Sequence, residues 1–265
     1  MNAFFQYAFL QRALGAGLCI ALACAVLGVF LLLRKDAMIG HGLSHLAFAG
    51  IALGLLVGQW PMAGALVVSV AAALGIMKLK EAAGIHGDTA IAILSSLGLA
   101  IGVILASVSG RFDVALLGYL FGDILAIEPA EVVLSVILAA AVLAVTIVFY
   151  HRFMYMTFDR DAALAAGIPV RRLDALITVL TALTIVLGMK IVGILLVAAL
   201  LVIPAAAGLQ AASRFRGAVI AAGVVSALSV IIGLAAAYVL DWPASGTIVL
   251  VSFLIFGVLF FVGKN

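Results

Sequence analysis

The sequence predicts an all-α integral membrane protein: a polytopic bundle of about 8–9 transmembrane helices, forming a single domain over residues 1–265. Three observations carry that prediction. The chain is 68% hydrophobic and only 9% charged, where a soluble domain is about 25% charged. Its mean hydropathy is +1.42, more apolar surface than a water-soluble core can hide. Apolar runs as long as a helical span follow one another, each about 20 residues. They lack the period-two alternation of a membrane barrel.

The runs fall at roughly 13–33, 38–58, 61–77, 89–108, 130–150, 173–189, 191–209, 217–239 and 246–263, by hydropathy and length. The first is longer than the apolar region of a signal peptide and is followed by Arg34-Lys35, so it reads as a true span. Cys19 and Cys24 lie within it at a spacing that matches no zinc or redox motif, and read as small packing residues. The sixth and seventh runs divide at Gly188-Met189-Lys190. In the seventh, Pro204 sits within Val202-Ile203-Pro204-Ala205, where a missing backbone donor predicts a kink. Pro129 and Pro243 fall at loop ends.

Basic residues orient the bundle. With the N-terminus outside, the cytoplasmic side carries Arg34, Lys35, Lys78, Lys80, Arg152, Arg160, Arg171, Arg172, Arg214, Arg216 and Lys264. The outer side then keeps only Arg12, Arg111 and Lys190, and the odd number of spans puts the C-terminus in the cytoplasm. The net charge of +3 is spread along the chain, and no basic, aromatic-interleaved patch suggests nucleic acid.

Histidine is scarce, four in the chain. Two of them, in Gly40-His41-Gly42-Leu43-Ser44-His45, are four apart in apolar sequence. Residues i and i+4 share a helix face, and two imidazoles on one face can ligate one metal ion. Ionisable groups within a membrane are costly and mark pathways. Ser44 is expected to bond its own helix, while Gly40 and Gly42 loosen the turn or admit a neighbour. His86 and Asp88 form a possible secondary polar site at the start of the fourth span, with helix capping as the plainer role of Asp88. Lys190 is expected to snorkel outward or pair with an acid. Asp123, Glu128 and Glu131 make the outer face acidic.

The longest polar break runs from His151 to Asp174. Within it, 159–169 reads as a short helix, with acids at its start and Gly167-Ile168-Pro169 at its close. No Gly-x-x-x-x-Gly-Lys phosphate loop is present, so the chain is not expected to hydrolyse ATP.

Asp161-Ala162-Ala163 followed by Gly167 resembles the Glu-Ala-Ala…Gly coupling element of ABC-importer permeases. Four further stretches resemble the zinc/manganese/iron metal-uptake branch of those permeases, in the family's order. They are Gly40–His45; Gly87-Asp88-Thr89-Ala90-Ile91-Ala92-Ile93-Leu94; Tyr119-Leu120-Phe121-Gly122-Asp123-Ile124-Leu125; and Met189–Val197 running on to Ile203-Pro204-Ala205-Ala206. The resemblance implies a homodimer of permease copies in a prokaryotic plasma membrane. It implies two ATP-binding subunits beneath and an extracytoplasmic metal-binding protein outside. It implies import of a divalent transition metal, with no permanently bound cofactor and with ATP bound on the partner. Asp161, Ala162, Ala163 and Gly167 would couple to the ATPase, and His41 and His45 would line the metal pathway. The family commonly has Gly-Asp-x-Leu-Ser-His, so His41 stands where an aspartate is usual. Imidazole favours zinc and carboxylate favours harder ions such as manganese, so zinc is the first expectation, then manganese or iron(II). A stand-alone metal carrier would need no coupling helix. An intramembrane metalloprotease would need His-Glu-x-x-His, and no glutamate lies between His41 and His45.

Overall fold

The structure, a computed structural model, describes residues 7–58, 60–83, 87–109, 118–120, 122 and 127–262. Two of the candidate site residues, His86 and Asp123, lie outside the described residues. The described chain forms α1 (Ala8–Leu33), α2 (Ile39–Val57), α3 (Pro61–Ala83), α4 (Gly87–Val108), α5 (Pro129–Val148), α6 (Tyr150–Phe158), α7 (Arg160–Ala165), α8 (Val170–Val192), α9 (Ile194–Ala211), α10 (Phe215–Leu240) and α11 (Ala244–Val262). Among the described residues nine helices are long and apolar enough to cross a membrane, all but α6 and α7. Each corresponds to one of the nine expected runs. Helices suit this solvent because each satisfies its own backbone polar groups.

Helices α1, α2 and α8 form the centre. The apolar windows of α1 and α2 are 72% buried, whereas that of α11 is 17% buried and lies at the periphery. Helix α10 runs antiparallel along α1: the Ser226 hydroxyl donates to the Ala21 carbonyl at 2.9 Å, and Phe215 meets Phe30 near the opposite end, ring centroids 5.2 Å apart. Phe30 also meets Phe153 of α6, so one aromatic cluster joins α1, α6 and α10.

Close packing fixes α2 between α3 and α4. A Cβ on Gly50 would lie 2.5 Å from the Gly64 carbonyl oxygen, and one on Gly54 would lie 2.6 Å from that of Trp60. On the other side a Cβ on Gly102 would lie 2.5 Å from the Phe48 ring. Glycines four apart on α2 and on α4 (Gly98 and Gly102) bring backbones together where there is no hydrophobic effect to do so.

The structure departs from the expected boundaries in three places. The α8/α9 division falls at Gly193, not at Gly188-Met189-Lys190, which stay helical. Gly193 has φ 88° and ψ 154°, a region open essentially to glycine alone. Gly122, at φ 78°, packs onto this break: a Cβ there would lie 2.5 Å from the Val192 carbonyl carbon. Second, the polar break after 150 holds a further helix, α6, whose Phe153 and Met156 are buried. Its apolar face is too short to register as a span. Third, the helix read at 159–169 is confined to Arg160–Ala165. The Asp159 carboxylate caps it by accepting from the Ala162 amide at 2.9 Å. Gly167 ends it at φ 75°, with the Ile168 and Gly167 amides bonding the Ala163 and Leu164 carbonyls. That is a Schellman close, requiring a left-handed residue at Gly167. Helix α9 continues unbroken through Pro204.

Gly193→Ala is expected to destabilise the protein by about 1–3 kcal/mol, the cost of forcing a side chain into that backbone region. Thermal unfolding in detergent measures it. Gly257→Ala, where nothing lies within 4 Å of the new Cβ, is the control expected to leave the transition unmoved.

Candidate functional site

Helix α2 is buried over residues 39–52 at every position but two, and those two are His41 and His45. His41 is exposed and His45 half-buried. Their rings stand edge to face, centroids 4.5 Å apart at 89°, with the two Nε2 atoms 3.1 Å apart. Two nitrogens bound to one ion at about 2.0–2.1 Å in tetrahedral geometry would be about 3.3 Å apart. The pair is thus already spaced for a shared cation and meanwhile bridged by one N–H···N hydrogen bond. Local packing explains the presentation. Gly40 lies against Leu201 of α9 and Gly42 against Ile91 of α4, so the flanks of His41 are pressed into neighbours. The Ser44 hydroxyl donates back to the Gly40 carbonyl at 2.8 Å, as expected. Among the described residues no group of three or more His, Cys, Asp or Glu comes together. Two imidazole nitrogens could supply half of a tetrahedral metal shell.

The end of the bundle remote from the N-terminus carries α6 and α7. Ala163 is fully buried against the bundle, Asp161 and Gly167 are exposed, and Ala162 is half-buried. Beside them Phe158 and Leu164 are 65% and 54% exposed. An apolar, rigidly capped projection at a polar end of the molecule can seat in a partner's groove. Asp88 is exposed in the first turn of α4.

At the other end Lys190 of α8 bonds the Glu131 carboxylate of α5, so it pairs with an acid. Glu131 also accepts from the Glu128 amide at 3.0 Å in a capping box. Glu128 is exposed. The Arg12 guanidinium reaches the Ile127 carbonyl at 3.4 Å.

One cluster escaped sequence reading. Near α7, Asp174 of α8 is bonded by Arg34 and, at 2.7 Å, by Arg160; Lys80 of α3 bonds Asp36. Asp36 and Asp174 are 6% and 5% exposed. The available signal was Asp174 itself, a carboxylate inside the predicted sixth span, where charge is costly.

The chain resembles known proteins along most of its length. Manganese transport system membrane protein MntC of Listeria innocua is 34% identical over 181 residues, 68% of this chain. The matched segment spans 64% of that relative's length. High-affinity zinc uptake system membrane protein ZnuB of Haemophilus influenzae is 33% identical over 184 residues, 69% of this chain and 70% of that protein. The solved structure of PsaBC from Streptococcus pneumoniae in complex with Fab superposes with a TM-score of 0.88 at 31% identity, covering 98% of this chain and 94% of that one. Residues 6–263 match the ABC 3 transport family, and the chain belongs to that family.

Proposed function

We propose that this chain is the membrane-spanning subunit of an ATP-driven importer of a divalent transition metal, zinc before manganese or iron(II). The observation that carries the reading is the His41–His45 pair, the one opening in an otherwise buried stretch of α2. Its relatives are named for manganese and for zinc, so the ligands must decide between them. Imidazole favours zinc, and His41 brings a second imidazole where the family's motif commonly has a carboxylate. Two ligands from one chain hold an ion loosely, which suits a path the ion must also leave. A second copy of the chain would bring another pair and complete four ligands.

In this reading the N-terminus is outside. The positive-inside rule supports it, since the basic residues flank α7 and the ends of the spans remote from the N-terminus. A metal-binding protein delivers the ion at the acidic outer face near Glu128, with Asp123 an outer-face acid by sequence alone, while Glu131 is held by Lys190. Two ATP-binding subunits dock on the opposite side. Asp161, Ala162, Ala163 and Gly167 form the coupling element there, with exposed Leu164 and Phe158 entering the partner. Hydrolysis belongs to that partner and not to this chain.

The deciding experiment is co-purification with the ATPase, followed by metal uptake in proteoliposomes supplied with ATP and binding protein. Absence of ATP-dependent uptake would overturn the reading. His45→Ala is expected to cut zinc uptake by about tenfold or more, since even a ligand's supporting partner is worth that much, with assembly unchanged. His41→Asp is expected to move the zinc/manganese preference toward manganese by about tenfold, following ligand hardness, as read by competition between the two ions.

A further inference from the structure

The buried charges beside α7 add little net stability for their number. Taking ions out of water costs about as much as their attraction returns. What the cluster supplies is a connection. Arg160 is on α7, Asp174 on α8, Arg34 caps α1, and Lys80 is on α3. Asp36 lies in the turn that leads into α2, and its carbonyl accepts from the Ile39 amide at the start of that helix.

The geometry gives Arg34 two carboxylates within reach. Arg34 Nη2 bonds Asp174 and stands 3.9 Å from Asp36, so one guanidinium lies between two carboxylates. Each carboxylate has another cation to receive it: Arg160 for Asp174 and Lys80 for Asp36. Arg34 Nη1 is buried without a hydrogen-bond partner, and so is Thr157 Oγ1 at the end of α6. Both residues line a cavity of about 330 Å³ shared with the four other charged groups. Unused donors beside open space let Arg34 change partners without a clash. Lys35, between Arg34 and Asp36, holds a left-handed backbone at φ 59°, and strain of this kind gathers at switch regions. The Arg160 side chain is 52% exposed, the most accessible member.

We infer that Arg160 is a positioning residue whose hold on Asp174 transmits the movement of α7, through Arg34 and Asp36, to the start of the histidine-bearing helix α2. When α7 draws Arg160 away, Asp174 loses one of two cations and binds Arg34 more tightly. Arg34 then leaves the neighbourhood of Asp36, and the turn entering α2 is released. This inference rests on the transporter reading above.

The test compares zinc uptake per ATP hydrolysed in the reconstituted complex. Arg160→Gln is expected to assemble and hydrolyse ATP, yet move about tenfold less zinc per ATP, a typical coupling factor. Arg160→Lys, which keeps the charge facing Asp174, is expected to restore most of that ratio. A lysine variant as poor as the glutamine variant would overturn the inference, because a contact between the guanidinium and the partner would then account for the loss. Should Arg160→Gln fail to dock, Asp36→Asn, which removes the carboxylate at the α2 end of the relay, carries the same test. An unchanged uptake ratio in whichever of these variants assembles overturns the inference alone. A wild-type complex that moves no metal on ATP overturns the transporter reading and this inference with it.

Discussion

The clasp of α2 by α3 and α4 is the constraint on which the rest of the structure depends. In hydrocarbon, helices gain little by hiding apolar surface from one another, so contact must come from shape. Gly50, Gly54 and Gly64 remove every side-chain atom between two backbones, and Gly98 and Gly102 receive Leu46 and Phe48 on the other flank. Helix α2 is thereby held on nearly all sides over residues 39–52, and only the histidines escape. A looser helix could turn the two imidazoles into lipid or against each other in many ways. The tight one presents them together, edge to face, at a separation that a single cation can bridge.

Charge is placed by the same solvent. Along the apolar middle of α8 the buried polar groups are hydroxyls that return their hydrogen to their own helix: Thr178, Thr181 and Thr184 each bond the carbonyl four residues back. Ion pairs gather at the two ends. At one, Lys190 and Glu131 join α8 to α5. At the other, five charges join the connector α7 to α1, α2, α3 and α8. The polar groups of the molecule are therefore divided among the Lys190 end, a histidine pair and the α7 end, with apolar packing between them.

Much of the fold was legible in the residues. The nine spans follow from run length and hydropathy, and the start of α7 follows from Asp159 and its close from Gly167. The misplaced division between α8 and α9 has a physical cause. Lys190 looked like a loop residue, but a long amphipathic side chain can reach an acid while its backbone stays helical. The true break at Gly193 depends on Gly122, some seventy residues earlier in sequence, packing against it. Helix α6 was missed because only Phe153 and Met156 face inward, against an aromatic cluster that no local pattern reveals. The candidate metal ligands were visible as His41 and His45 because scarcity and an i, i+4 spacing need no tertiary information.

The sequence by itself determined that lipid is the solvent, that about 8–9 runs are long and apolar enough to cross it, nine of them helices among the described residues, and which two rings share a helical turn. These are properties of composition and of neighbours along the chain. Only the tertiary structure decided that those rings are the open positions on a buried helix. Only it decided that Arg34, Asp36, Lys80, Arg160 and Asp174 meet. Both outcomes turn on how separate helices pack, and for α2 that packing is set by glycine contacts with its neighbours.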